Sequence, residues 1–195
     1  MTSEQPSLLS YAAEQAARLS SYANIHPGSA MSLAELQGWK QRVFRFQQQV
    51  QQTAAPVQIG LFESAAIAAP SDSLDPFSLP PQNIEFWRWQ FEDVGVAALY
   101  FVVDAELPIL LYVGETMKSN QRWKGVHDCK RYLLNYVSLH NRLRLVHAVN
   151  IGFWCEAPGD SKARQQLERA LIYQWRSPFN KENWQHWATP FVGEK

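Results

Sequence analysis

The chain has 195 residues, 18 basic and 18 acidic side chains, no formal net charge, 46% hydrophobic residues and 18% charged ones. One ordinary domain fits that length, and a charge fraction below the roughly 25% usual for soluble domains excludes a highly charged nucleic-acid-coating tail and a wholly disordered acidic chain. No apolar run approaches the ~18 residues needed to cross a bilayer, so no membrane association is expected.

In chain order, the opening Met-Thr-Ser-Glu-Gln-Pro carries an acid where a signal peptide is positive, and no apolar stretch follows. That pattern predicts a cytoplasmic location. Residues 7–23, rich in Ala, Leu, Glu and Gln, predict a helix that Pro27 and Gly28 end. Ser32 with Glu35 three positions later is a capping-box signature. After it Leu33, Leu36, Trp39, Val43, Phe46 and Val50 recur at helical steps and draw one apolar stripe, to about residue 52. Residues 1–52 are therefore expected as a helical pair, a hairpin or small oligomerisation unit with no chemistry of its own. Residues 53–83 shift to Ala, Pro, Ser and Gln with no basic side chain, the composition of a linker.

Aromatics then become dense, and seven of the eight tryptophans lie at or beyond Trp87. This marks residues 84–195 as the folded domain. Strands are predicted near 84–91, 97–103, 109–113 and 143–155, with a turn over 104–108 and helices at about 120–139 and 161–175. Strands and helices without regular alternation predict an α+β fold, a small antiparallel sheet flanked by helices. Cys129 and Cys155 have no metal-ligand spacing and are expected as buried free thiols. The neutral total hides segregation: residues 84–116 carry a net −5 and residues 117–144 a net +6. The basic stretch suits either a solvated helix face or a polyanion, and Lys118, Lys124, Lys130 and Arg131 are its candidate DNA contacts.

Two tyrosines stand in short apolar strands, Ala98-Leu99-Tyr100 and Tyr112-Val113-Gly114, with room between them for a strand, a turn and a return strand. Beyond Gly114 come Arg122, Trp123 and His127, and Glu168 begins a block that ends in Pro178-Phe179-Asn180. Over residues 95–183 this ordered set resembles the GIY-YIG nuclease family, and the last block looks especially like the nuclease module of the bacterial excision-repair incision subunit. The resemblance implies metal-assisted hydrolysis of a DNA phosphodiester, with Mg²⁺, or Mn²⁺ as a substitute.

The implied candidate catalytic residues are Tyr100, Tyr112, Arg122, His127, Glu168 and Asn180. Glu168 is the implied metal carboxylate, since a Mg²⁺ that keeps most of its waters and borrows phosphate oxygens needs only one. The planar fork of Arg122 suits two phosphate oxygens. Tyr100 is the implied base or water-positioning group, Tyr112 a second phenol and His127 a competing acid or base. A free phenol titrates near 10, so base action at neutral pH requires a neighbouring cation or metal. Asn180 is expected as a supporting polar contact. Two positions depart from the family pattern: Ala98 replaces the first glycine, and Glu115 stands where an acid would repel DNA unless it is turned away or binds a metal. The alternative is a non-catalytic adaptor that holds DNA.

Within the linker, Gln58-Ile59-Gly60-Leu61-Phe62 has the form of a short peptide that docks into a groove on a rigid partner. It resembles the bacterial sliding-clamp-binding motif through Gln58, Ile59, Leu61 and Phe62. The implied partners are DNA and the clamp. No recognition helix or zinc finger is evident, so neither DNA sequence nor DNA structure is specified.

Overall fold

In the computed structural model, which describes residues 31–53, 74–84, 92–121 and 128–191, the capping box forms as the sequence predicts. The Ser32 backbone N–H donates to Glu35 Oε2 at 2.8 Å, and the Glu35 N–H donates to Ser32 Oγ at 3.3 Å. Helix α1, Leu33–Thr53, follows. The helix expected over 7–23, the docking motif 58–62 and residues 85–91 lie outside the described residues.

The fold is α+β. Strands β1 (Gln82–Asn83), β2 (Ala98–Asp104), β3 (Ile109–Thr116) and β4 (Val149–Trp154) form a four-stranded antiparallel sheet in the order β1-β4-β2-β3. Helices α2 (Asp128–Arg142), α3 (Ser161–Trp175) and the single turn α4 (Trp184–Trp187) complete it. No described helix is long and apolar enough to cross a membrane. Of the helix predicted over 120–139, Ser119–Gln121 form a 3-10 turn and the residues from Asp128 onward form α2, residues 122–127 lying outside the described residues, and the long strand predicted over 143–155 shortens to β4.

Each sheet face carries its own core. Helix α2 places Cys129, Tyr132, Tyr136 and Leu139 against Tyr100, Val102, Leu111 and Ile151, while α3 places Leu171, Ile172 and Trp175 against Leu99, Phe101, Leu110 and Val113 on the other face. Helix α1 spans both, with Leu36, Trp39 and Val43 in the first core and Val50 against the second. The expected boundary at residue 52 therefore separates no core: the second helix of the expected N-terminal pair is a wall of the sheet domain. Inside the segment of linker composition, Leu74-Asp75-Pro76-Phe77 is an apolar island whose residue types predict packing back onto the folded core, and residues 74–79 do pack. Leu74, Phe77 and Leu79 lie against the second core, with Phe77 edge-on to Trp175. Of the two thiols, Cys129 is buried as expected but Cys155 is exposed, because it follows the last residue of β4 into a turn.

A buried polar cluster ties α1 to the sheet. Asp104 accepts from Lys40 Nζ at 2.9 Å, from the Tyr136 hydroxyl at 2.6 Å and from the Ala148 and Glu106 N–H groups at 2.9 and 3.1 Å. His140 lies 3.2 Å from Lys40 Nζ through Nε2 and 2.8 Å from the Tyr136 carbonyl through Nδ1. A neutral ring with its proton on Nδ1 satisfies both contacts. Burial, helped by Lys40, holds the His140 pKa down at about 4, against an ordinary 6.5. The unfolded chain therefore takes up the proton at higher pH, so this stability is complete above about 6.5 and is lost as pH falls toward about 4. We expect urea midpoints to drop between pH 7 and pH 4.5 and the His140→Gln variant to show a flatter pH dependence. Parallel profiles would refute the assignment to His140.

Candidate active-site cleft

The outer edge of β3 organises the cleft. Opposite Val103 and Val102 stand Leu110 and Tyr112, so Leu111 is an extra residue, a β-bulge. The bulge sends both Leu111 and Tyr112 to the α2 face, which brings Tyr112 alongside Tyr100 with ring centroids 5.9 Å apart and planes at 27°.

An exposed strand edge invites pairing with another chain, and two side-chain amides occupy this one. Gln47 of α1 accepts from the Leu110 N–H at 2.7 Å and donates to the Leu110 carbonyl at 2.9 Å. Asn180 repeats the arrangement at Val113, accepting at 3.0 Å and donating at 2.8 Å, and Phe179 N–H donates to the Leu111 carbonyl at 2.9 Å. Asn180 is thereby committed to holding the 177–183 turn along β3, with its Oδ1 also accepting from Ser177 Oγ at 2.7 Å.

Between that turn, the start of α2 and the outer side of α3 lies a cleft of about 560 Å³. Tyr112, Glu168 and Asn180 line it, joined by Asp128, Cys129, Tyr132, Gln165, Arg169, Ile172, Phe179, Lys181 and Glu182. Three residues that the sequence singled out, far apart in the chain, thus meet in one cavity. Tyr100 is fully buried behind Tyr112 and does not line the cleft. Of the candidate DNA contacts, Lys118 and Arg131 are exposed and Lys130 is half-buried. Arg131 reaches within 3.9 Å of Asp128. Arg122, Lys124 and His127 lie outside the described residues.

Burial, reinforced by Tyr100, Cys129 and Glu168, pushes the Tyr112 pKa far above the ordinary phenol value. Without a neighbouring cation its hydroxyl keeps its proton at neutral pH, and it shares a hydrogen bond with the Tyr100 hydroxyl. Glu115 is turned from the cleft: it lies on the α3 face and accepts from Arg164 Nε at 2.7 Å. Arg164 is fully buried and also donates to the carbonyls of Pro158 and Gly159 at 2.9 and 3.1 Å. The acid that would repel a phosphate is therefore neutralised by its own partner.

Gly114 shows why the second motif ends in glycine. A Cβ there would stand 2.7 Å from Tyr100 Cε1, closer than real side chains pack. Tyr112 and Phe153 rings, each 5.9 Å away, block the ring's retreat. We expect Gly114→Ala to cost about 1–3 kcal/mol by overpacking, read as a lower melting temperature. An unchanged melting temperature would reject this role.

Among the described residues no group of three or more His, Cys, Asp or Glu side chains is placed to hold a metal ion, so a cage made wholly of protein ligands does not fit them. Mg²⁺ that keeps several waters and shares one carboxylate with substrate phosphate does fit, because Glu168 is half-buried in the wall of a cleft with room for both. The sequence reading missed Arg169 and Lys181, which follow Glu168 and Asn180 directly and line the same cleft. Comparison of the chain with family models, with curated proteins and with solved structures returned no match.

Proposed function

We propose that the chain is a Mg²⁺-dependent DNA endonuclease of the GIY-YIG kind, recruited to DNA by a sliding clamp through Gln58, Ile59, Leu61 and Phe62. The observation that carries this reading is the convergence of Tyr112, Glu168 and Asn180 on one cleft beside the β3 edge. Glu168 is the residue that would hold Mg²⁺, which when bound supplies charge neutralisation at the phosphate. Tyr112, hydrogen-bonded to Tyr100, presents its phenol oxygen to the phosphate or the nucleophile, the role the resemblance implies. Tyr100, stacked behind it, fixes the position of that phenol. Asn180 orients the cleft wall rather than the substrate, since both atoms of its amide are bonded to Val113. Arg122 grips the phosphate and His127 exchanges a proton with the attacking water or the leaving oxygen, as the family resemblance implies.

Incubating the purified chain with supercoiled plasmid and with branched duplexes, in Mg²⁺ and in EDTA, tests the reading. Nicking in Mg²⁺ alone is expected. DNA binding without any cleavage across such a panel would overturn it in favour of the adaptor.

Tethering raises local concentration without tight intrinsic affinity. A triple variant, Gln58→Ala with Leu61→Ala and Phe62→Ala, is expected to lose at least about tenfold in clamp affinity, consistent with side-chain anchors dominating peptide docking. Titration against purified clamp checks this, and equal affinity would remove the clamp from the proposal.

A further inference from the structure

Two charged side chains that line the cleft, Asp128 and Lys181, and the neighbouring Arg131 have no part in the mechanism above. Asp128, the first residue of α2, accepts through Oδ2 from Lys181 Nζ at 3.2 Å, and its Oδ1 lies 3.9 Å from Arg131 Nη2. Their side chains are 53%, 64% and 54% exposed, respectively. Exposed pairs of this kind hold weakly and exchange readily. Asp128 and Lys181 both line the cleft that contains Glu168. Two cations from separate elements, converging on the two oxygens of one carboxylate, present the donors that the oxygens of a phosphodiester take. The backbone beneath Lys181 is fixed, because Asn180 is bonded to Val113 at both amide atoms.

We infer that Asp128 is a resident competitor for DNA: it holds Lys181 and Arg131 in the DNA-free protein and yields them to a backbone phosphate entering the cleft. This rests on the nuclease reading only in assigning DNA as the polyanion. The single carboxylate offsets part of the charge of Lys181 and Arg131 until a phosphate displaces it, which weakens unassisted binding and leaves engagement to recruitment.

The test measures binding of a labelled duplex to the full chain in EDTA, as salt is raised from about 50 to about 200 mM. Asp128→Asn is expected to tighten binding several-fold, and Lys181→Ala to weaken it and reduce the salt slope by about 1, the value of one lost phosphate contact. In the double variant the Asp128→Asn gain should shrink, because only Arg131 is then left to release. Glu156→Gln, which removes an exposed acid from the turn after β4, controls for net charge and should shift affinity far less. An equal gain from Asp128→Asn with or without Lys181, or an equal gain from Glu156→Gln, would overturn the inference. If those results came with Mg²⁺-dependent nicking by the wild type, the competitor role would fall and the nuclease reading stand. A wild type that neither nicks nor binds DNA would end both.

Discussion

Replacing Asp104 with alanine is expected to lower the unfolding free energy by about 3–5 kcal/mol, because it leaves a buried ammonium without its counter-ion. Asp104 is fully buried and Lys40 nearly so. Burial by itself would raise the Asp104 pKa, but bonds from Tyr136, Ala148 and Lys40 outweigh it and hold the carboxyl below its ordinary 3.8. Asp104 is therefore charged in the native protein at neutral pH. Its stabilisation is present above that ordinary value and is lost only as pH falls below it, under more acidic conditions than the His140 effect. Four donors converge on this carboxylate, from α1, from α2 and from the loops after β2 and before β4. Their simultaneous loss removes the ionic tie between α1 and the sheet and leaves Lys40 buried without its counter-ion. In a chain of this size each kcal/mol moves the melting temperature by about 2–4 °C, so a fall of roughly 10 °C is expected. Adding Lys40→Met should recover part of the loss, since it removes the orphaned charge and leaves its apolar stem. A melting temperature within a degree or two of wild type in Asp104→Ala would show that Lys40 finds another partner and that the cluster is not what holds α1.

Glu168→Gln is expected to reduce Mg²⁺-dependent nicking by about 10²–10³-fold, the scale on which removing one preorganised electrostatic contact acts on a transition state. The substitution preserves shape and removes only the negative charge. Glu168 sits one helical turn from Arg164 on one side and from Ile172 on the other. Arg164 is anchored to β3 through Glu115, and Ile172 belongs to the second core. The α3 scaffold beneath Glu168 is thus held on both sides, and the variant is expected to melt like wild type. DNA binding in EDTA should be unchanged or slightly tighter, because one acid has left the cleft. Nicking by Glu168→Gln at the wild-type rate would remove this residue from the chemistry. An equal loss of binding and cleavage would instead assign it to holding the fold.

Much of the local architecture is legible along the chain. The Ser32–Glu35 box and its stripe locate α1, the turn after Asp104 joins two apolar strands, and α3 occupies the residues its pattern predicts, with Asp160 accepting from the Ala163 N–H at its start. The spacing of Tyr100 and Tyr112 foretells a strand pair. It does not foretell that only Tyr112 reaches the cleft. That depends on one extra residue, Leu111, whose apolar side chain resembles its neighbours and carries no local sign of a bulge.

Periodicity reports which residues leave water; it does not report what they meet. Lys40 and Gln47 read as ordinary polar positions on α1, yet both are buried, because Asp104 and the Leu110 backbone stand opposite them. Glu115 reads as a threat to DNA binding until Arg164, distant in the chain, is seen beside it. Asn180 reads as a polar contact near a helix end, whereas its amide closes a strand edge. By itself, then, the sequence determined α1, α3, the paired strands and the segregation of charge, and it supplied candidate residues, since these follow from local spacing and residue type. Only the tertiary structure decided which of those residues share a cavity and which are neutralised by a partner. The free energy of a buried charge or amide is set by the group facing it, and in this fold that group lies on another element.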